Sequence, residues 1–117
     1  MCSQQSNVTY EAFDRHPDRG RIILFEAAGS LAGYAILVHF WSNEYGGIVL
    51  EIDELLVSRN FRGKGIATTF FQWLEKQNDD QVKGWALQVN RTNDAARRLY
   101  EKIGFKRSSS DYLYRIL

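Results

Sequence analysis

The sequence predicts an α/β fold, an α+β arrangement in which a sheet of mixed direction carries two main helices. Three observations lead there. Runs of β-branched and aromatic residues occupy 21–26, 31–41 and 48–57, the composition of strands. At Ile66 the apolar spacing changes, and Ile66, Phe70, Trp73 and Leu74 recur with the period of a helix. The next apolar run follows that helix by a connection long enough for a parallel crossover.

Each element has a local reason. Asn7 or Thr9 caps a short helix through Tyr10, Ala12 and Phe13, which stops near His16 because Pro17 disfavours helix before it. Arg21–Glu26 and Leu31–Trp41 form a hairpin about the turn Ala28-Gly29-Ser30. Ser42–Gly47 is a loop, and Ile48–Val57 reads as a buried central strand, apolar on both faces. The polar cluster Gln77–Gln81 ends the first main helix. Trp85–Asn90 is the fourth strand. Asn93 caps the second helix, Asp94 favours its positive end, and Gly104 closes it. Ala96, Leu99, Tyr100 and Ile103 mark its buried stripe. Phe105 and Tyr112–Ile116 supply the last strands, giving the order β-β-β-α-β-α-β.

With 117 residues the chain is expected to be one domain, 1–117. Fifteen Lys and Arg against 14 Asp and Glu leave a formal charge of +1, which argues against a nucleic-acid module dependent on a strong positive field. The 44% hydrophobic and 25% charged content excludes a disordered chain. No apolar run approaches the roughly 20 residues that span a bilayer, and Met1–Ser6 lacks the regions of a signal peptide. One cysteine, Cys2, cannot form an internal disulfide, so a reducing, cytoplasmic compartment is expected. No cluster of His, Cys and Asp has metal-ligand spacing, so no metal is expected.

The richest segment is Arg62-Gly63-Lys64-Gly65-Ile66-Ala67, between a strand and a helix. Glycines there let backbone N–H groups turn outward into an anion-binding concavity, and the helix N-terminus with Arg59, Arg62 and Lys64 adds positive charge. The plainer alternative is a glycine turn with solvated basic residues. A P-loop is excluded because Gly65, not Ser or Thr, follows Gly63-Lys64. A dinucleotide fingerprint is excluded because Thr68 stands where a third glycine is needed and Asn90 where an acid is expected.

These residues resemble the Gln/Arg-x-x-Gly-x-Gly/Ala signature of the GNAT acetyltransferase superfamily. Glu54-Leu55-Leu56-Val57 resembles that family's central strand. Asn90-Arg91-Thr92-Asn93 through Leu99-Tyr100-Glu101-Lys102-Ile103-Gly104-Phe105 is similar to its later motif. The resemblance covers about residues 14 to 117, and relative to it residues 1–20 are a shortened N-terminal segment. It implies a sheet whose two central strands splay apart to admit the pantetheine arm of acetyl-CoA. Backbone groups near Leu55, Leu56 and Val57 would pair with the pantetheine amides, and the N–H groups of Arg62, Gly63, Lys64, Gly65, Ile66 and Ala67 would hold the pyrophosphate. Asn93 matches a position that contacts the cofactor arm, serves as an N-cap, or does both. Tyr100 matches the tyrosine that protonates the departing thiolate; its plainer role is a half-buried aromatic.

The base is placed less directly. Glu51 and Asp53 alternate with Leu50 and Ile52 and so share one strand face, and family members often carry the base at such positions. Glu54 falls on the opposite face, as a structural residue, unless a bulge resets the alternation. Trp41, Glu44 and Tyr45 either line an acceptor pocket or are incidental residues of a surface loop. Arg97, Arg98 and Lys102 are solvated charges or reach a CoA phosphate. The expectation is an acetyl-CoA-dependent N-acetyltransferase that modifies a primary amine, of a small molecule by preference, in a ternary complex. No acyl-enzyme on Cys2, no nucleic-acid or membrane partner, and a possible homodimer complete the reading. The alternative is a catalytically degenerate GNAT fold that binds acyl-CoA or a partner protein without turnover.

Overall fold

The computed structural model describes residues 14–78, 80–108 and 113–117. Four strands, β1 (Gly20–Ala27), β2 (Ser30–Ser42), β3 (Gly47–Val57) and β4 (Val82–Leu87), form one sheet in the order β1-β2-β3-β4. The first two pairings are antiparallel and β3–β4 is parallel. Between β3 and β4 lies α1 (Ile66–Lys76), and α2 (Asp94–Ile103) follows β4. The mixed sheet with two helices is the fold expected from the sequence.

The β1–β2 hairpin closes on two residues, Ala28 and Gly29, both at positive φ (52° and 75°), between the paired Ala27 and Ser30. Two left-handed residues match the right-handed twist of the strands they join. Asp14 and Arg15 are helical and the helix is over at His16, before Pro17. The rest of that expected helix, with Tyr10, Ala12 and Phe13, lies outside the described residues.

The core lies between the sheet and α1. Phe70, Phe71 and Leu74 of α1 pack on Phe25, Ala35, Leu37, Leu50 and Ile52. Phe71 is 2% exposed and meets Trp85 of β4, Tyr100 of α2 and Phe105 at ring-centroid distances of 5.9, 6.0 and 5.6 Å. One side chain thus ties α1 to β4 and α2. The stripe on α2 is half-buried rather than buried, with Tyr100 and Ile103 packed on the margin of the core.

The first three strands have ends within one residue of the sequence reading; two later elements depart from it further. The fourth strand runs Val82–Leu87, not Trp85–Asn90. Its ladder with β3 ends at Ile52↔Leu87, and Asn90 instead accepts from Thr92 N–H and Oγ1 at 3.0 and 2.8 Å. An asparagine that closes its own turn is withdrawn from a ladder. The last strands are not formed among the described residues: 105–108 and 113–117 carry no strand, and Leu113, Ile116 and Leu117 are almost fully exposed. Apolar alternation alone does not make a strand without a neighbour to bond. Ser109–Tyr112 lie outside the described residues.

Gly33 fixes how closely β2 meets the end of β3. A Cβ there would stand 2.1 Å from the Leu56 carbonyl oxygen, whereas a Cβ on Gly84 of β4 would meet nothing within 4 Å. Gly33→Ala should therefore destabilise the fold by about 1–3 kcal/mol through backbone overpacking, while Gly84→Ala should stay within about 0.5 kcal/mol. Thermal or urea melts of the two variants check this; equal effects would remove the close approach as a constraint.

Candidate active site

The site begins with one extra residue in β3. Leu37 pairs with Ile52 but Ile36 pairs with Glu54, so Asp53 is a bulge residue with no partner of its own on β2. A bulge bends its strand and increases the local twist. The bend coincides with the end of the β3–β4 ladder at Ile52↔Leu87. Beyond it β3 stays paired with β2 as far as Val57↔Gly33, while its β4-side edge has no strand partner among the described residues. The two central strands therefore splay apart over Asp53–Val57, and the edge of β3 that has no strand partner there among the described residues suits an extended amide chain.

The bulge also corrects the expected distribution of acids. Glu51 lies opposite Val38 and Glu54 opposite Ile36, two positions apart on the regular strand β2. Directly opposed residues share a face, so Glu51 and Glu54 share the face away from α1. Asp53, exposed at the bulge, is not the face partner of Glu51 that simple alternation predicts.

The strand leads through a short 3-10 turn, Arg59–Phe61, into the glycine segment. Gly63 and Gly65 stand at φ 75° and 78°, with Lys64 between them. Gly65 is the N-cap of α1 and brings no capping side chain, and the first turn of α1 contains no acid. Its outward N–H groups and the positive end of the helix dipole are thus left for an anion. Phe61 and Ile66 flank the turn and pack against the core, which anchors it to the end of β3. Arg62 Nε donates to the Val57 carbonyl at 2.9 Å, so this side chain also closes the strand end. The Lys64 ammonium lies 5.6 Å from the centre of the Phe61 ring.

Asn93 caps α2, its side chain accepting from Ala96 N–H at 3.1 Å. Tyr100 lines an open groove of about 2000 Å³ along β4, together with Trp85, Phe105, Glu44 and Tyr45. Burial raises its phenol pKa, so Tyr100 stays protonated through neutral pH and can give a proton. Trp41 does not line the groove and is 65% exposed. Trp41, Glu44 and Tyr45 sit where β3 begins and the glycine turn where it ends, which the eleven residues of β3 separate by roughly 30 Å.

Sequence reasoning missed the pair Tyr34 and Glu54. Tyr34 Oη donates to Glu54 Oε1 across the β2–β3 ladder. Burial first, then the hydrogen bond and the negative charge of Glu54, push the Tyr34 phenol up to about 12. The signal in the sequence was only Gly33-Tyr34 beside an acid-rich strand; the bulge that brings the two side chains together leaves no mark there.

Among the described residues no group of three or more His, Cys, Asp or Glu is placed to hold a metal ion, and no helix is long and apolar enough to cross a membrane. The family model for the acetyltransferase (GNAT) family matches residues 2–105, and the chain belongs to that family. It is 33% identical over 103 residues to the mycothiol acetyltransferase of Thermobispora bispora, covering 84% of this chain and 34% of that protein. The chain therefore spans about a third of that relative's length. Among solved structures, an integron cassette protein from the mobile metagenome of Cole Harbour Salt Marsh superposes with a TM-score of 0.80 at 28% identity, over 94% of this chain and 68% of that one. The ribosomal-protein-alanine N-acetyltransferase of Brucella melitensis biovar Abortus 2308 shares the fold with a TM-score of 0.72 at 24% identity, over 86% and 74% of the two chains.

The Tyr34 phenol gives a pH prediction. Its pKa is raised from 10.0 to about 12 in the folded chain, so its contribution to stability is fully present below about pH 10 and is lost as pH rises towards 12. Glu54→Gln should move the tyrosinate absorbance of Tyr34 back towards pH 10. An unchanged titration curve in that variant would break the link between the two side chains.

Proposed function

We propose that this chain is an acetyl-CoA-dependent N-acetyltransferase that modifies a primary amine, of a small molecule by preference, by direct attack within a ternary complex. The observation that carries the reading is the splayed end of β3, whose β4-side edge has no strand partner among the described residues, running into a turn with two left-handed glycines and a helix start without a capping side chain. That order presents first an edge for amides and then donors for a pyrophosphate, which is the order of groups along pantetheine and CoA. Members of the family use acetyl-CoA as cosubstrate, and the donors present here fit it.

In this reading the Leu55–Val57 edge pairs with the pantetheine arm, and backbone N–H groups from Gly63 to Ala67, with the charge of Lys64, hold the phosphates; the Arg62 N–H is already donated to the Arg59 carbonyl. The amine nitrogen, once deprotonated, attacks the thioester carbonyl carbon. A C–N bond forms, the C–S bond breaks, and the leaving thiolate takes the phenol proton of Tyr100. The proton lost by the amine passes to a β3 carboxylate, Glu51 or Asp53, directly or through water. Asn93 holds the start of α2, and with it Tyr100 in the next two turns.

A melt with acetyl-CoA tests the binding half. At about 100 times its Kd the ligand should stabilise the chain by roughly 2.7 kcal/mol. Lys64→Glu, which places a negative charge between the two glycines, should remove most of that gain. Tyr100→Phe should keep the stabilisation and lower kcat by about 100-fold or more, measured as CoA thiol release with a panel of amines. Stabilisation without transfer to any amine would leave an acyl-CoA-binding module in place of an enzyme. No stabilisation at all would sink the cofactor site.

A further inference from the structure

β1 pairs with β2 on one side, and its outer edge has no strand partner among the described residues. Edge strands are commonly kept from pairing by an internal charge, a proline, a bulge or short length. β1 has eight residues, and its centre, Ile22-Ile23-Leu24-Phe25, is apolar throughout. The irregularity in the β1–β2 ladder falls on β2, where Ala32 is left over between the partners of Phe25 and Glu26. Exposed apolar side chains stand beside this edge on both faces of the sheet. Leu24, 62% exposed, alternates with the buried Phe25 and so lies on the face away from α1. Trp73 of α1, 37% exposed, lies on the other face, with the Arg21 guanidinium 5.7 Å from its ring centre. Phe70 joins Phe25 to Trp73 at ring-centroid distances of 5.3 and 6.3 Å and holds Trp73 over β1. The strand also changes sign along its length, with Arg19 and Arg21 at its start and Glu26 near its end.

We propose that this edge pairs with the same edge of a second copy of the chain, antiparallel about a two-fold axis normal to the sheet, so that two four-stranded sheets become one continuous sheet. Such an axis sets opposite each other only residues that share a face. Centred on Ile23, it places Ile23 against its own counterpart, Ile22 of each copy against Leu24 of the other, Arg21 against Phe25, and Gly20 against Glu26. The three central pairs are then apolar, and Leu24 is covered. Gly20 has no side chain, so each Glu26 lies open to Arg19 and Arg21 of the other copy. An in-register parallel pairing would set like charges together, so the charges select the antiparallel one. Main-chain hydrogen bonds supply the affinity, as in other strand additions. A single pair of strands buries an area at the low end of the roughly 1,200–2,000 Å² of specific interfaces, so association in the micromolar range is expected. The seam lies at the opposite edge of the sheet from β4 and the groove that holds Tyr100, and it does not depend on the acetyltransferase reading.

The test is sedimentation equilibrium of the full chain from about 1 μM to about 1 mM, with amide hydrogen exchange at both ends of that range. Monomer and dimer should interconvert reversibly, and the outward amides of Ile22–Leu24 should gain protection as the dimer fills. Leu24→Lys brings charge into the centre of the seam and should weaken association by about tenfold or more. Leu24 is largely exposed, so that variant should keep the melting temperature of the native chain. Glu26→Arg and the double variant Arg19→Glu/Arg21→Glu should each weaken the dimer, and an equimolar mixture of the two should restore it, because both ends of the mixed seam then carry opposite charges. The charge variants decide the matter even if Leu24→Lys fails to fold. A chain that stays monomeric at the highest concentration would overturn the proposal, as would a dimer that none of these variants weakens. Full protection of the edge amides at the lowest concentration would also overturn it, since residues of the same chain would then cover the edge. No restoration in the mixture would remove the antiparallel two-fold register.

Discussion

The structure turns on a single inserted residue. Asp53 has no partner on β2, and the bend it imposes separates the part of β3 that belongs to the sheet from the part that serves the site. Before the bulge, β3 is paired on both sides and its side chains fill the core. After it, β3 keeps β2 and loses β4. A strand that gives up one ladder leaves backbone donors and acceptors without partners, and such groups cost free energy when they are kept from water. Water or an extended ligand must satisfy them. The same insertion reverses the facing of every residue beyond it and brings Glu54 onto the face of Glu51. The gap and the acid-bearing face are consequences of one change in register.

The opening is tolerable because packing elsewhere holds the ends in place. Phe71 lies under β4 and α2 at once, and burying a phenylalanine is worth roughly 1.5–3 kcal/mol. Its four aromatic neighbours, Phe70, Trp85, Tyr100 and Phe105, make edge-on and tilted contacts that add to this. β4 has one hydrogen-bonded neighbour among the described residues, so its position depends on this cluster as much as on its short ladder. The other end of the gap is held by Gly33, whose missing side chain lets β2 run against Leu56 and Val57. One wall is set by aromatic packing and the other by close backbone approach.

Much of this was legible in the residues. The strand compositions, the change of period at Ile66 and the Asn93–Gly104 helix boundaries follow from local rules, and the elements stand where those rules put them. The two glycines flanking Lys64 were legible as a turn with outward N–H groups, and both adopt positive φ. What was not legible is whatever depends on how one strand meets another. Alternation assigned Glu51 and Asp53 to one face because it assumes that each residue of β3 has an opposite number on β2. A bulge violates that assumption without a composition of its own. The end of β4 failed for the same reason, since Trp85–Asn90 is apolar enough for a strand but β3 has already turned away. The terminal apolar run, Leu113 to Leu117, shows the converse case: a strand-like pattern stays exposed when no edge receives it.

The proposed chemistry also makes sense of the division between the faces. Tyr100 sits with α1 and α2 on one side of the sheet, in contact with Phe71 and Phe105, while Glu51 and Glu54 lie on the other. A phenol that must keep its proton gains from the aromatic side, because burial disfavours its anion. On the opposite face Tyr34 donates to Glu54, and Asp53 stands exposed at the bulge. A shared surface would let an acid and a base exchange protons with each other rather than with the reactants. The sheet keeps them apart, and the gap opened by the bulge is where a thioester can lie within reach of both.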